Sequence, residues 1–97
     1  MNTQFQPVTP ENFTRITLDV YGNPRYVCHL FDLLTVDERS SYGLTNYGQL
    51  YAIACKRANK LGGRKYTGKR YGGGIVFQSY NIAETCERIN TLLAELN

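Results

Sequence analysis

Polar and apolar residues alternate strictly along Arg15-Ile16-Thr17-Leu18-Asp19-Val20, with Ile16, Leu18 and Val20 on one side and Arg15, Thr17 and Asp19 on the other. A period of two predicts a half-buried strand. Tyr21-Gly22-Asn23-Pro24 then reads as a turn, because Gly and Asn tolerate positive φ and Pro fixes its own. The next run, Arg25-Tyr26-Val27-Cys28-His29-Leu30-Phe31, is largely apolar on both faces, as in a central strand. The two strands form a predicted hairpin.

From Leu34 to Thr45 the pattern is mixed and polar, and a connecting loop is expected. Asn46 followed by Gln49 resembles a capping box and marks a helix start. Tyr47, Leu50, Tyr51, Ala54, Ala58 and Leu61 follow at helical spacing and form an apolar stripe. Gly62-Gly63 stops this helix, since Gly readily takes the left-handed C-terminal conformation. A short strand is expected over Arg64-Lys65-Tyr66-Thr67, a Gly-rich hairpin loop over Gly68 to Gly74, and a fourth strand over Ile75 to Tyr80, with Ile75 and Phe77 facing the core. Asn81 and Glu84 give a second capping-box-like start. Ile82, Cys86, Ile89, Leu93 and Leu96 then recur at spacings of four and three, the cleanest amphipathic helix in the chain.

The order ββαββα predicts an α+β domain: a four-stranded, mainly antiparallel sheet with two helices packed on one face and the other face open. Residues 1–12, with Pro7 and Pro10, read as a flexible N-terminal arm, and residues 13–97 as a single α+β domain. A chain of 97 residues carries one small core. The seam-like spacing of Ile82 to Leu96 also suits a dimer, but a small domain has no second apolar face to spare, so the expectation is a monomer with that stripe on the sheet.

Charge sharpens the picture. Seven of the eleven Lys and Arg residues fall between Lys56 and Arg70, and no Asp or Glu occurs from Arg39 to Ala83. A net charge of +3 therefore conceals a strongly polarised protein. Such a field favours a polyanion or an acidic protein surface. Lys56, Arg57, Lys60, Arg64, Lys65, Lys69 and Arg70 are the candidate phosphate contacts; Tyr66, Tyr71 and Tyr80 are the candidate stacking rings. The bland alternative is a solubilising basic face with tyrosines that suit strands.

Catalytic and metal chemistry find little support. Gly63-Arg-Lys-Tyr-Thr-Gly68-Lys69-Arg70 fits the first part of a phosphate-binding loop, but Arg70 stands where the Mg²⁺-binding Ser or Thr is required, and the helix precedes the motif instead of following it. His29 is the single histidine, in an apolar strand, and is expected in or beside the core. Asp37 and Glu38 are adjacent loop acids that diverge and do not form a catalytic pair. Cys28, Cys55 and Cys86 are too scattered for a disulfide framework or a metal site; Cys28 and Cys86 read as core thiols, while Cys55, beside basic residues, is expected to have a lowered pKa. No cofactor and no metal is expected.

The N-terminus has neither a basic n-region nor an apolar h-region, and no apolar run reaches the ~18 residues of a membrane span. The chain is expected to be cytoplasmic, with reduced thiols. The reading is a non-enzymatic module that binds nucleic acid, with RNA or single-stranded DNA favoured because no helix-turn-helix element is present. The alternative is a protein-binding adaptor or inhibitor, of the kind mobile elements encode, that docks its basic face on an acidic protein or blocks a nucleoprotein complex.

Overall fold

The computed structural model describes residues 5–16 and 22–96. Four strands, β1 (Thr14–Ile16), β2 (Arg25–His29), β3 (Gly63–Lys65) and β4 (Gly74–Gln78), form one antiparallel sheet in the order β1-β2-β4-β3. Arg25–His29 of the long apolar run forms the central strand β2, while its last two residues, Leu30 and Phe31, open a 3-10 turn (Leu30–Leu33) instead of continuing the strand. Helices α2 (Tyr47–Lys60) and α3 (Ile82–Ala94) cover one face, and a short helix, α1 (Val36–Ser40), precedes α2. The expected ββαββα order thus holds with α1 inserted where a loop was expected.

Both long helices begin as their sequences demand. The Asn46 side chain accepts from Gly48 N–H at 2.7 Å while Gln49 reaches back to Asn46 N–H, which satisfies donors that the first turn leaves open. At α3, Asn81 accepts from Glu84 N–H. Gly62, at φ +84°, ends the α2 segment in the left-handed region that other residues avoid.

One core fills the space between sheet and helices: Cys28, Ile75 and Phe77 from the sheet, Leu50, Ala54 and Ala58 from α2, and Cys86, Ile89 and Leu93 from α3. The α3 stripe is therefore taken up within the chain, with Leu96 left exposed. Three sequence expectations change here. Leu33 and Leu34 are fully buried just before α1, so the 34–45 segment is anchored rather than a free connector. Ile16 is paired with Arg25 on the face away from the helices, and the core at this edge is filled instead by Phe13, whose ring meets Phe77 edge-on at 6.0 Å. The remaining positions of that alternation, 17–20, and Tyr21 lie outside the described residues.

Residues 5–12, expected as a loose arm, are docked. Val8 is buried in the core cluster, and Asn90 on α3 clamps its backbone, accepting from Val8 N–H at 2.8 Å and donating to Val8 O at 3.1 Å. Composition suggested mobility because the partner amide lies 82 positions away.

Glu38 and Arg57 also depart from expectation. Glu38 closes the α1 capping box with Thr35, and the Arg57 guanidinium donates to both its carboxylate oxygens, at 2.6 and 2.7 Å, and to Leu33 O at 2.9 Å. Burial alone pushes the Glu38 carboxyl up, but the Arg57 and Thr35 hydrogen bonds outweigh it and hold the group below its ordinary value. A carboxyl lowered on folding contributes stability above its unfolded pKa, about 4.3, that is lost as pH falls through the folded value. Burial raises Asp32, which acts with the opposite sign, so the difference between two proteins is the quantity to read. The Glu38→Gln protein is expected to lose less stability than the parent between about pH 5 and 3 by urea denaturation. Parallel curves would contradict this role for the pair.

Candidate nucleic-acid interface

Strand alternation decides where each basic residue goes. In the sheet register, Arg64 lies beside Val76, and Val76 beside Val27, while Arg25 lies opposite Gln78. Tyr66, whose N–H donates to Gly74 O, continues this row pattern beside Gly74, whose other neighbour is His29. All of these project from the face that the helices leave uncovered. Lys65, one residue from Arg64, is paired with the core residue Ile75 and turns the other way. Its ammonium sits 4.8 Å from the centroid of the Tyr51 ring on α2.

The basic segment is therefore split. Lys56 and Lys60 are exposed on α2, which packs against β3 from the helix side. Arg64 is on the open face, and Lys69 and Arg70 are exposed in the loop between β3 and β4. Because β3 is an edge strand, the two groups meet around the sheet margin rather than on one plane. Charged residues on so short an edge also discourage pairing with another chain. Arg57 leaves the set altogether, since Glu38 and Leu33 O hold its guanidinium and its side chain is only 15% exposed.

Two of the three candidate rings come together. Tyr66 and Tyr71 meet edge-to-face at 5.5 Å, with the Arg70 guanidinium 5.7 Å from the Tyr71 centroid. The glycines give room for this packing: a Cβ on Gly68 would lie 2.4 Å from the Tyr66 hydroxyl, and one on Gly74 2.8 Å from Val27 Cγ2. Tyr80 stands apart, beyond the far end of β4, where its hydroxyl bonds Asn23 and Glu84 lines the same hollow.

Sequence reasoning missed Arg25. It is half-buried on the open face and, with Arg64, lines two adjoining grooves. The signal was present: Arg25 and Val27 share a parity, so a hairpin register that places Val27 opposite Val76 carries Arg25 with it. Val27 and Val76, paired on the same face, are buried.

His29 is exposed at the end of β2, not inside the core. Its Nδ1 accepts from Phe31 N–H at 3.1 Å, which leaves Nε2 as the protonated nitrogen when the ring is neutral. The nearby Asp32 carboxylate accepts from His29 backbone N–H and from the Asn12 amide. Cys28 and Cys86 are buried. Cys55 differs from expectation: burial pushes its thiol up, and the lowering effect of Lys65 is the weaker influence. Side chains one or two positions apart on a helix do not face each other, so the cations of Lys56 and Arg57 are not the ones that act on this thiol.

The geometry thus combines a sheet face that carries Arg25 and Arg64, a basic glycine loop and a pair of packed tyrosines on a small α+β scaffold. A family model described as Staphylococcus phage terminal repeat-encoded protein TreK matches residues 7–97, and the chain belongs to that family. It is thus a small phage-family protein. No curated protein and no solved structure matches it. No helix among the described residues is long and apolar enough to cross a membrane.

Proposed function

We propose that this protein is a non-enzymatic module that binds single-stranded nucleic acid, RNA or DNA, on the open sheet face and the β3–β4 loop. The observation that carries this reading is the convergence of Arg25 and Arg64 on the same two grooves, next to the Tyr66–Tyr71 pair. Arg64, Lys69, Arg70 and Arg25 neutralise phosphates; Tyr66 and Tyr71 offer ring faces to unpaired bases. Lys56, Lys60 and Lys65 act from the helix side as a longer-range positive field. A duplex is a poorer ligand for this surface, which presents no helix to a major groove.

Fluorescence anisotropy with labelled single-stranded RNA, single-stranded DNA and duplex DNA at two salt concentrations tests it. Micromolar or tighter binding of a single strand, falling steeply with salt, is expected. Absence of binding at low salt would overturn the reading.

A second reading, a protein-binding adaptor or inhibitor, is favoured by one observation. Leu44 is 96% exposed, beside Tyr42 at 57% and with Tyr47 and Val36 also exposed. Exposed apolar groups of this kind often mark protein contacts. Under that reading the basic surface docks on an acidic protein, and excess generic RNA leaves the complex intact.

A further inference from the structure

The open face carries two grooves that share a wall. One, of about 380 Å³, is lined by Val76, Gln78 and Gly63 and, around the β3 margin, by Asn59 from the end of α2; the other, of about 410 Å³, is lined by Lys65, Tyr66, Thr67 and Gly68. Arg25 and Arg64 belong to both. They come from β2 and β3, strands separated by β4, so their side chains straddle β4 with Gln78 directly opposite Arg25. Each groove lies within the roughly 300–1,000 Å³ typical of small-molecule sites.

Resting on the nucleic-acid reading, we infer that this face holds one dinucleotide step of a single strand. The linking phosphodiester sits on Arg25 and Arg64, and one nucleoside occupies each groove. Guanidinium forks match phosphate oxygens two at a time, which suits them to the shared wall. The two sides differ in chemistry. Gln78 and Asn59 each offer an acceptor oxygen and an NH₂ donor, the groups that read a base edge. Tyr66 offers a π face, held in place by the close approach of Gly68 to its hydroxyl. The step is therefore read asymmetrically: one base by hydrogen bonds with sequence preference, the other by stacking without it.

The test uses the full chain with ten-nucleotide homopolymers of A, U and C, and with free 5′-AMP as the single-nucleotide probe. Arg25→Met is expected to weaken all three oligomers about tenfold or more. Gln78→Leu, at an exposed position, is expected to erase the difference between homopolymers and leave the salt dependence unchanged. Tyr66→Leu is expected to weaken them alike, about tenfold. Free 5′-AMP is expected to bind much more weakly than any preferred oligomer.

If Lys69→Met/Arg70→Met loses binding while Arg25→Met and Gln78→Leu behave as wild type, the dinucleotide step is overturned and the broader function stands. Binding of 5′-AMP as tight as that of the oligomer overturns the step in favour of a mononucleotide pocket. Failure of the unaltered protein to bind any oligomer removes both readings together.

Discussion

Replacing Arg64, Lys65, Lys69 and Arg70 together by glutamine is expected to reduce single-strand affinity about 100-fold or more near physiological salt. Each phosphate contact contributes about 0.7 to the slope of log affinity against log salt for a single strand. Arg64, Lys69 and Arg70 are exposed and form no salt bridge among the described residues, so losing these three contacts should flatten the slope by about 2. Lys65 should contribute less, because it lies on the helix side over Tyr51. The same change should alter stability little, since it touches only exposed positions; even the Lys65–Tyr51 contact is worth about 0.5–1 kcal/mol at an exposed site. Unchanged affinity in a folded quadruple variant would remove the basic surface from the account.

Phe77→Ala should be the most damaging single core change. Phe77 is 1% exposed, meets Phe13 edge-on and presses against Gly63, where a Cβ would stand 2.5 Å from its ring. Truncating a buried Phe costs about 3–5 kcal/mol, a large share of the 5–15 kcal/mol typical of a whole domain. Chemical denaturation of Phe77→Ala should show a midpoint far below the parent or no folded baseline. The neighbouring contact gives a finer check. Gly63→Ala should destabilise the parent strongly and the Phe77→Leu protein less, because the smaller side chain relieves the collision. Equal penalties in both backgrounds would mean that the ring and Gly63 do not meet.

Local periodicity revealed most of the fold because the relevant forces are local. The α2 and α3 stripes, their Asn caps and the Gly62 stop all act within one or two turns, and each falls where the pattern placed it. What the pattern could not reveal depends on pairings far apart in sequence. Asn90 fastens Val8, Arg57 fastens Glu38, and Phe13 replaces Ile16 at the core edge because the β1–β2 register puts odd positions inward. None of these leaves a short-range signature.

The candidate site was legible in the same uneven way. Charge clustering and the glycine loop identified the segment, and the Tyr66–Tyr71 pair followed from it. Reading Lys56 to Arg70 as one surface neglected that β3 sends Arg64 and Lys65 to opposite sides. It also overlooked Arg25, because a lone cation at a strand start has no meaning until the register sets it beside Gln78 and across β4 from Arg64. Tyr80 was grouped with the loop by sequence proximity, yet β4 carries it to the far end of the sheet.

The central claim is that the open sheet face and its loop bind a single strand. Amide chemical shifts recorded during titration with a ten-nucleotide RNA test it most directly. The account predicts shifts concentrated at Arg25, Arg64, Tyr66, the Gly68–Gly74 loop and Gln78, with α3 unmoved. Shifts centred on Tyr42, Leu44 and Tyr47, or none at saturating RNA, would contradict it.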